Sequence, residues 1–417
     1  MDVVKVLSLL SFMLVFGTSC DQKKTVESVS AMTQECLSSS QTIKNRFVVQ
    51  WEDGSFSIEK GNSLDEFRET FIKENLSLIK FVEPDQTVHL RPYSLSSAIQ
   101  PNALSTTNWG PEMIEAPALW NQDIVGHDVI VGVIDSMVDV THDQLRPNIL
   151  VNENEIPNNG VDDDNNGFVD DFLGAKFNSE ENDPNLNRHG SHVAGIIGAD
   201  PEFGPIHGVA PKVKILPAQF MDNQGAGSLG HAIAAMNYAV SRGARILNLS
   251  WGGADCQQNF AAAMEALSNQ GVLLVTAAGN GDYYGNGINV DENPDYPSAF
   301  NLMNQINVAA STADDFMIRF SNFGRKKVLV AAPGYEIDST VPGNQVERMS
   351  GTSMAAPMTA GAAALLMSAF PAATTQQVKL ALLRGVDVRA GHEFEVSTRG
   401  RINVRKSLSE LQKILDL

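Results

Sequence analysis

Three side chains in this sequence are of the types that nucleophilic catalysis uses, and each stands where a regular element starts or stops. Asp135 closes the apolar run "VIVGVI". Its carboxylate therefore belongs at the edge of a buried strand, where it needs a hydrogen-bonding partner; the plainer reading is a cap on a following helix. His189 opens "HGSHVAGIIG", a helical segment whose Gly190, Ala194 and Gly195 permit close packing. A lone histidine is more often structural, but this one starts a helix at the edge of a site. Ser353 sits in "MSGTSMAAP", ahead of the strongly apolar "AGAAALLMSAF", with Pro357 expected in the first helical turn, where no N–H is needed. A serine there is commonly an N-cap. The same place also offers the positive end of a helix dipole to developing negative charge, and Gly351 and Thr352 shape a tight approach that capping alone does not require.

The elements that must position these residues follow from hydrophobic patterning. From Trp109 onward, short unbroken apolar runs ("VIVGVID", "VKILPAQ", "RILNLS", "VLLVTAAGN", "INVAAS", "VLVAAPG") alternate with helical stretches such as "LGHAIAAMNYAVSRG". Runs without polar alternation are strands buried on both faces, so the pattern predicts an α/β fold with a doubly wound, mostly parallel sheet over residues 108–417. Several runs end in polar or glycine-rich tips, at Asp135, Ser250 and Gly279–Asn280. In open α/β sheets, sites form beyond the carboxyl ends of strands. A smaller α+β unit precedes, over 44–91: strand "RFVVQW", helix "SLDEFRETFIKENL" with Ser63 as its N-cap, and strand "IKFVEPDQTVHL". Residues 92–107 read as a linker and 21–43 as a polar tether.

The chain has 417 residues, 43% of them hydrophobic, and a formal net charge of −19. With no long Lys/Arg run, that balance excludes nucleic acid and anionic lipid surfaces as expected partners. Three cysteines build no disulfide framework. Residues 1–20 have the make-up of an export signal, with Lys5 ahead of the apolar Val6–Phe16 and "GTSC" after it. Cys20 is then either a lipid-acylated lipoprotein residue or incidental to ordinary cleavage nearby. The expected location is outside the cytoplasm, secreted, periplasmic or lipid-anchored.

The stretches "VIDSMVDVTH", "HGSHVAGIIG", "GVAPKVKILPAQ", "LNLSWGG", "VTAAGN", "YPSAF" and "MSGTSMAAP", in this order over residues 106–410, resemble the subtilisin-like serine proteases. The order Asp, His, Ser is that of subtilisin, a worked example of triad chemistry in its own right. The resemblance implies a self-processing serine endopeptidase with Asp135, His189 and Ser353 as triad and Asn280 as oxyanion donor. It implies substrate contacts at Gly225, Ala226 and Gly227, a primary pocket walled by Ser250, Trp251 and Gly252 and by Ala277, Ala278 and Gly279 with Asp295 at its base, and Trp251 narrowing an adjoining pocket. The unit 44–91 resembles the subtilase propeptide, an intramolecular inhibitor and folding chaperone, with the maturation cut between about Leu90 and Thr107. Met137 departs from the family pattern, which has glycine there; a positive φ would make Met costly.

The acidic stretch "DDDNNGFVDD" offers Asp162, Asp164, Asn166, the Phe168 carbonyl and Asp170 at the spacing of a calcium loop, with Gly167 at its sixth position. Leu173 stands where a bidentate Glu is usual, so Asp171 or Asp183 is expected to replace it. Structural Ca2+ is the expected cofactor, protein or peptide the expected substrate, and a monomer suffices. Two other readings stay open at this point. One is a proteolytically silent peptide-binding protein on the same fold; the other is a plain surface-anchored calcium-binding protein.

Overall fold

A computed structural model describes residues 24–30, 41–90, 97–98, 109–178, 188–253, 258–388 and 395–416. The leader with Cys20, most of the tether, Asp183 and nearly all of the linker expected to hold the maturation cut lie outside these residues. Strands β1 (Thr42–Trp51), β2 (Phe56–Lys60) and β3 (Ile79–His89) come first, then β4 (Ser97–Ala98). Next are β5 (Ile130–Asp135), β6 (Ala175–Lys176), β7 (Lys214–Gln219), β8 (Ala226–Ser228), β9 (Ile246–Leu249), β10 (Leu273–Ala277), β11 (Gln305–Ser311) and β12 (Val330–Pro333). A hairpin β13 (Ile337–Val341) and β14 (Gln345–Met349), then β15 (Val386–Val388) and β16 (Gly400–Ile402), complete the set. The main helices are α1 (His189–Gly198), α2 (Leu229–Ser241), α3 (Gln258–Asn269), α4 (Thr352–Ala369), α5 (Thr375–Arg384) and α6 (Val404–Leu415).

The central sheet runs β15-β16-β12-β11-β10-β9-β5-β7-β6 and is parallel except for the β15–β16 pair. Its unbroken apolar runs serve two cores. Val131, Val133, Val275 and Val308 face a cluster with α1 and α4, while Ile134, Leu247, Leu249 and Leu274 face one with α2 and α3. This is the doubly wound α/β architecture the sequence predicts. The chain leaves β5 for β7 on one side and β9 for β10 on the other. The switch point therefore falls between β5 and β9, whose carboxyl ends carry Asp135 and Ser250. Among the described residues, no helix is long and apolar enough to cross a membrane.

The N-terminal module is an antiparallel β2-β1-β3 sheet covered by a helical segment from Leu64 to Asn75. Ser63 caps that segment, its Oγ accepting the Glu66 N–H at 3.1 Å, and Phe47 stacks on Phe67 with centroids 4.2 Å apart. The module docks through two buried carboxylates. Glu83 accepts the Asn259 N–H at 2.8 Å and the Gln258 N–H at 3.1 Å, in the first turn of α3. Asp85 accepts the Gly230 N–H at 3.0 Å, in the first turn of α2, and pairs with Arg46. Unpaired N–H groups at a helix start favour such anions.

Burial nevertheless pushes the Glu83 carboxyl up to about 7, with nearby Asp85 adding to the rise and the helix N–H groups opposing it. Undocking lifts the burial that raises it, so the group moves back toward the ordinary value of 4.5. The docked state therefore binds more protons between those two values, so docking is tightest in mild acid and weakens as pH rises through about 7. Measured between pH 5 and 8, affinity between separately produced module and remainder should fall with pH, and Glu83→Gln should flatten the profile. A wild-type profile already flat would contradict this.

Candidate active site

Strand β5 ends in Asp135, which is fully buried. Its Oδ1 accepts the Ser136 N–H at 2.7 Å and faces His189 Nδ1 at 2.8 Å. The imidazole is held there by the start of α1. The Gly190 N–H donates to Ser136 Oγ at 2.9 Å, and a β-carbon at 190 would lie 2.4 Å from the Ser136 carbonyl oxygen. Only glycine lets the helix come this close. Met137 is not among the residues with positive φ, so its departure from glycine carries no backbone strain. The second histidine of "HGSH", His192, plays a different part. It is fully buried, its Nε2 lies 3.1 Å and 3.0 Å from the carbonyls of Ile337 and Glu347, and burial pushes its pKa down to about 3. It stays neutral and holds α1 to the β13–β14 hairpin.

Helix α4 begins at Thr352, with Gly351 as N-cap and no side-chain cap bond. Ser353 is thus inside the helix, and its hydroxyl donates instead to the Ser250 carbonyl at 2.9 Å. Pro357 is not in the first turn, as the sequence suggested, but the sixth helical residue. Its missing N–H removes the bond that the Ser353 carbonyl would accept. Ser250 Oγ supplies a substitute at 2.9 Å and is itself held by Asn248 Nδ2 at 2.8 Å. Ser250 and Ser353 thus grip each other reciprocally, tying the end of β9 to the head of α4.

Asn280 follows β10 through Ala278 and Gly279. Its Oδ1 accepts the Thr352 N–H at 2.9 Å and the Thr352 hydroxyl at 2.8 Å, and that hydroxyl accepts the Gly279 N–H at 3.1 Å. With the oxygen committed, the orientation of the amide is set. Asn280 Nδ2 and Ser353 N lie 3.4 Å and 3.5 Å from the point where a β-carbon on Gly351 would stand. Two N–H donors therefore border the space that glycine leaves open. Thr352 was read from sequence only as shaping the approach to Ser353, not as orienting Asn280, and Ser136 had no role assigned; a serine after an aspartate carries no pattern of its own.

A pocket beside Ser353 is lined by Ser250, Trp251, Gly252, Ala277, Gly279, Asn280, Asp295 and Ser298 among others. Two assignments need correction. Ala278 is buried among Val290, Ala309, Val328 and Ala331, because strand alternation turns Ala277 to the pocket and Ala278 away. The Trp251 indole packs in the core between Phe220 and Phe260, with Nε1 donating to the Ile134 carbonyl at 2.9 Å, so most of the ring is committed to the interior although the residue also borders the pocket. Gly225, Ala226 and Gly227 meet the chain's own β3. Thr87, Val88 and His89 pair antiparallel with Ser228, Gly227 and Ala226, and His89 also bridges Gly252. The Leu90 N–H donates to the Gly225 carbonyl at 2.7 Å.

Among the carboxylates of the acidic region, the group that converges overlaps the expected ligand set in part. Glu155, Asp164 and Asp171 bring carboxylate oxygens within 4.8 Å of one another. Asp164 was expected there and Asp171 was a candidate replacement, whereas Glu155 was missed because it precedes the loop. Asp162 instead takes the N–H groups of Asn166 and Gly167, and Asp170 those of Asn159 and Gly160. Asn166 joins its own loop, accepting the Phe168 N–H and donating to Asp171. The Phe168 ring packs on Phe177 and Tyr238. The Oε2 of Glu155 is buried without a hydrogen-bonding partner, a fit to a cation-binding donor set.

The sequence model described as "Subtilase family" matches residues 126–399. The chain belongs to the subtilase family. It is 34% identical over 287 residues to an "Intracellular serine protease" of Paenibacillus polymyxa, covering 68% of this chain and 78% of that one. It is 34% identical over 260 residues to the "Major intracellular serine protease" of Bacillus subtilis, covering 62% and 74%. To "Subtilisin NAT" of Bacillus subtilis subsp. natto it is 30% identical over 345 residues, covering 82% and 78%. This subtilase is a serine-type endopeptidase. Thr352→Val, which keeps shape and the main-chain N–H but removes the hydroxyl linking Asn280 Oδ1 to the Gly279 N–H, should lower kcat roughly tenfold, a part of the hundred- to thousandfold attached to losing such a donor, with KM little changed. An unchanged kcat on a peptide substrate would show that Thr352 does not orient Asn280.

Proposed function

We propose that this subtilase cuts proteins through an acyl-enzyme on Ser353 and is made as a zymogen inhibited by its own residues 44–91. The observation that carries the chemistry is the bond between Asp135 Oδ1 and His189 Nδ1. It fixes the tautomer that leaves Nε2 to take the Ser353 proton, as a hydroxyl needs a base to become nucleophilic. The Ser353 oxygen attacks the peptide carbonyl, and charge develops on the carbonyl oxygen. Asn280 Nδ2 and the Ser353 N–H stabilise that oxygen; the latter has no intrahelical acceptor at its place in the first turn. His189 then gives its proton to the leaving amine, and water releases the acyl group by the same steps. Asp135 steadies the imidazolium throughout.

Inhibition is supported by Thr87–Leu90, which fill the groove between Ala226–Ser228 and Gly252 with main-chain pairing. An extended substrate would need the same edges, so the module must be cut and removed. The silent-binder reading loses its one argument, since Met137 is unstrained. The leader and Cys20 support export, and the mass of the mature N-terminus distinguishes lipidation from simple cleavage. One chain holds all these parts, so the proposed chemistry needs no second copy.

Glu155, Asp164 and Asp171 would hold a calcium ion, whose charge offsets their repulsion and ties the insert to the strand ends; it takes no part in the reaction. Chelation should lower the melting temperature by several degrees, as loss of a ligand bound only by the folded state does, and Glu155→Gln should remove most of that sensitivity. Identical melting before and after complete metal removal would contradict the assignment. For the zymogen, intact masses of the full chain and of Ser353→Ala, expressed in parallel, decide. Loss of the N-terminal module in the wild type alone is expected; equal processing of both would mean that another protease matures the protein.

A further inference from the structure

Resting on the endopeptidase reading, we propose that Asp295 makes this protease select a basic side chain, Arg or Lys, on the residue before the scissile bond. Asp295 and Ser353 line the same pocket, and Asp295 is the one charged residue among its described lining. Its carboxylate lies between the two walls. Oδ1 is 3.5 Å from the point a β-carbon on Gly252 would occupy, and Oδ2 is 2.5 Å from the corresponding point on Gly279. Gly279 has φ +103°, a conformation glycine adopts freely. A β-carbon at 279 would collide with Oδ2 and, at 2.3 Å, with Asn322 Nδ2, so glycine is what lets the carboxylate and the amide lie against this wall, while Asp295 still lines the pocket.

The carboxylate is held in place. Asn322 Nδ2 donates to Asp295 Oδ2 at 3.2 Å and to the Ala278 carbonyl at 2.9 Å. Asn322 Oδ1 in turn accepts the Gly281 and Ile288 N–H groups at 3.0 Å and 2.9 Å. The amide is thus committed at both ends to main chain behind the pocket, and it presents Asp295 in a fixed direction. A half-buried carboxylate beside apolar Ala277 and two glycines is poorly matched to an apolar guest, which would strip water from the charge without replacing it. A guanidinium or ammonium replaces that water with charge-assisted hydrogen bonds.

The chain seated in the groove gives the direction of approach. His89 bridges Gly252 and the Leu90 N–H reaches Gly225, so a peptide in this register advances along the wall that Ser250, Trp251 and Gly252 share with the pocket. The pocket therefore receives the side chain of a residue further along such a peptide, adjacent to Ser353.

The test is the ratio of kcat/KM for two peptides that differ only in Arg or Leu before the cleaved bond, measured on the full chain after it has matured. The ratio cancels any difference in the fraction of correctly folded enzyme. The wild type should favour Arg, and Asp295→Asn should lower the ratio roughly tenfold to a hundredfold, the span of one hydrogen bond to a charged group. Asp295→Glu should restore part of it. A wild type that prefers Leu, or a ratio that Asp295→Asn leaves unchanged, would overturn the assignment while leaving the endopeptidase reading intact. Cleavage of neither peptide, nor of any casein bond, would fell the endopeptidase reading and this assignment with it.

Discussion

A carboxylate buried at the end of a parallel strand must be paired, and the site is arranged around that need. Asp135 has no solvent exposure, so an unpartnered charge there would cost several kcal/mol or neutralise itself. Its partners are the next residue's N–H and an imidazole delivered by a helix from elsewhere in the chain. That helix arrives only because residue 190 has no side chain and because Ser136 accepts its first free N–H. The requirement of one buried charge thus selects the loop, the helix start and the glycine between them.

The other half of the site repeats the logic with neutral groups. Pro357 deprives the Ser353 carbonyl of its helical partner, and Ser250 fills the gap while taking the Ser353 hydroxyl. Thr352 accepts from Gly279 and commits the oxygen of Asn280. The ends of β5, β9 and β10 and the heads of α1 and α4 are thereby fixed to one another by short polar bonds rather than by packing alone. Such mutual restraint is what preorganised electrostatic stabilisation demands, since groups already aimed at developing charge need no reorganisation when it appears.

Much of this is legible in sequence because buried parallel strands read as unbroken apolar runs, and their polar tips stand out. Asp135, Ser250 and Asn280 were visible for that reason, and His189 and Ser353 by their place at helix starts. The misses have physical causes too. Ala277 and Ala278 are chemically alike, and only strand alternation tells which faces the pocket. Trp251 follows a polar tip yet turns back into the core, because its ring fits between Phe220 and Phe260. Glu155 is drawn to the acidic loop by folding, not by spacing. The pairing of Val88 with Gly227 is made by main-chain groups, which leave no signature in side-chain order.

On the proposed mechanism, Ser353 is the hydroxyl activated by the Asp135–His189 pair. A fluorophosphonate that reacts only with activated serines, followed by peptide mapping of the matured chain, tests it most directly. One adduct is expected, on the peptide that contains Ser353, and its rate of formation should collapse in His189→Ala. An adduct on another serine, or undiminished labelling in that variant, would contradict it.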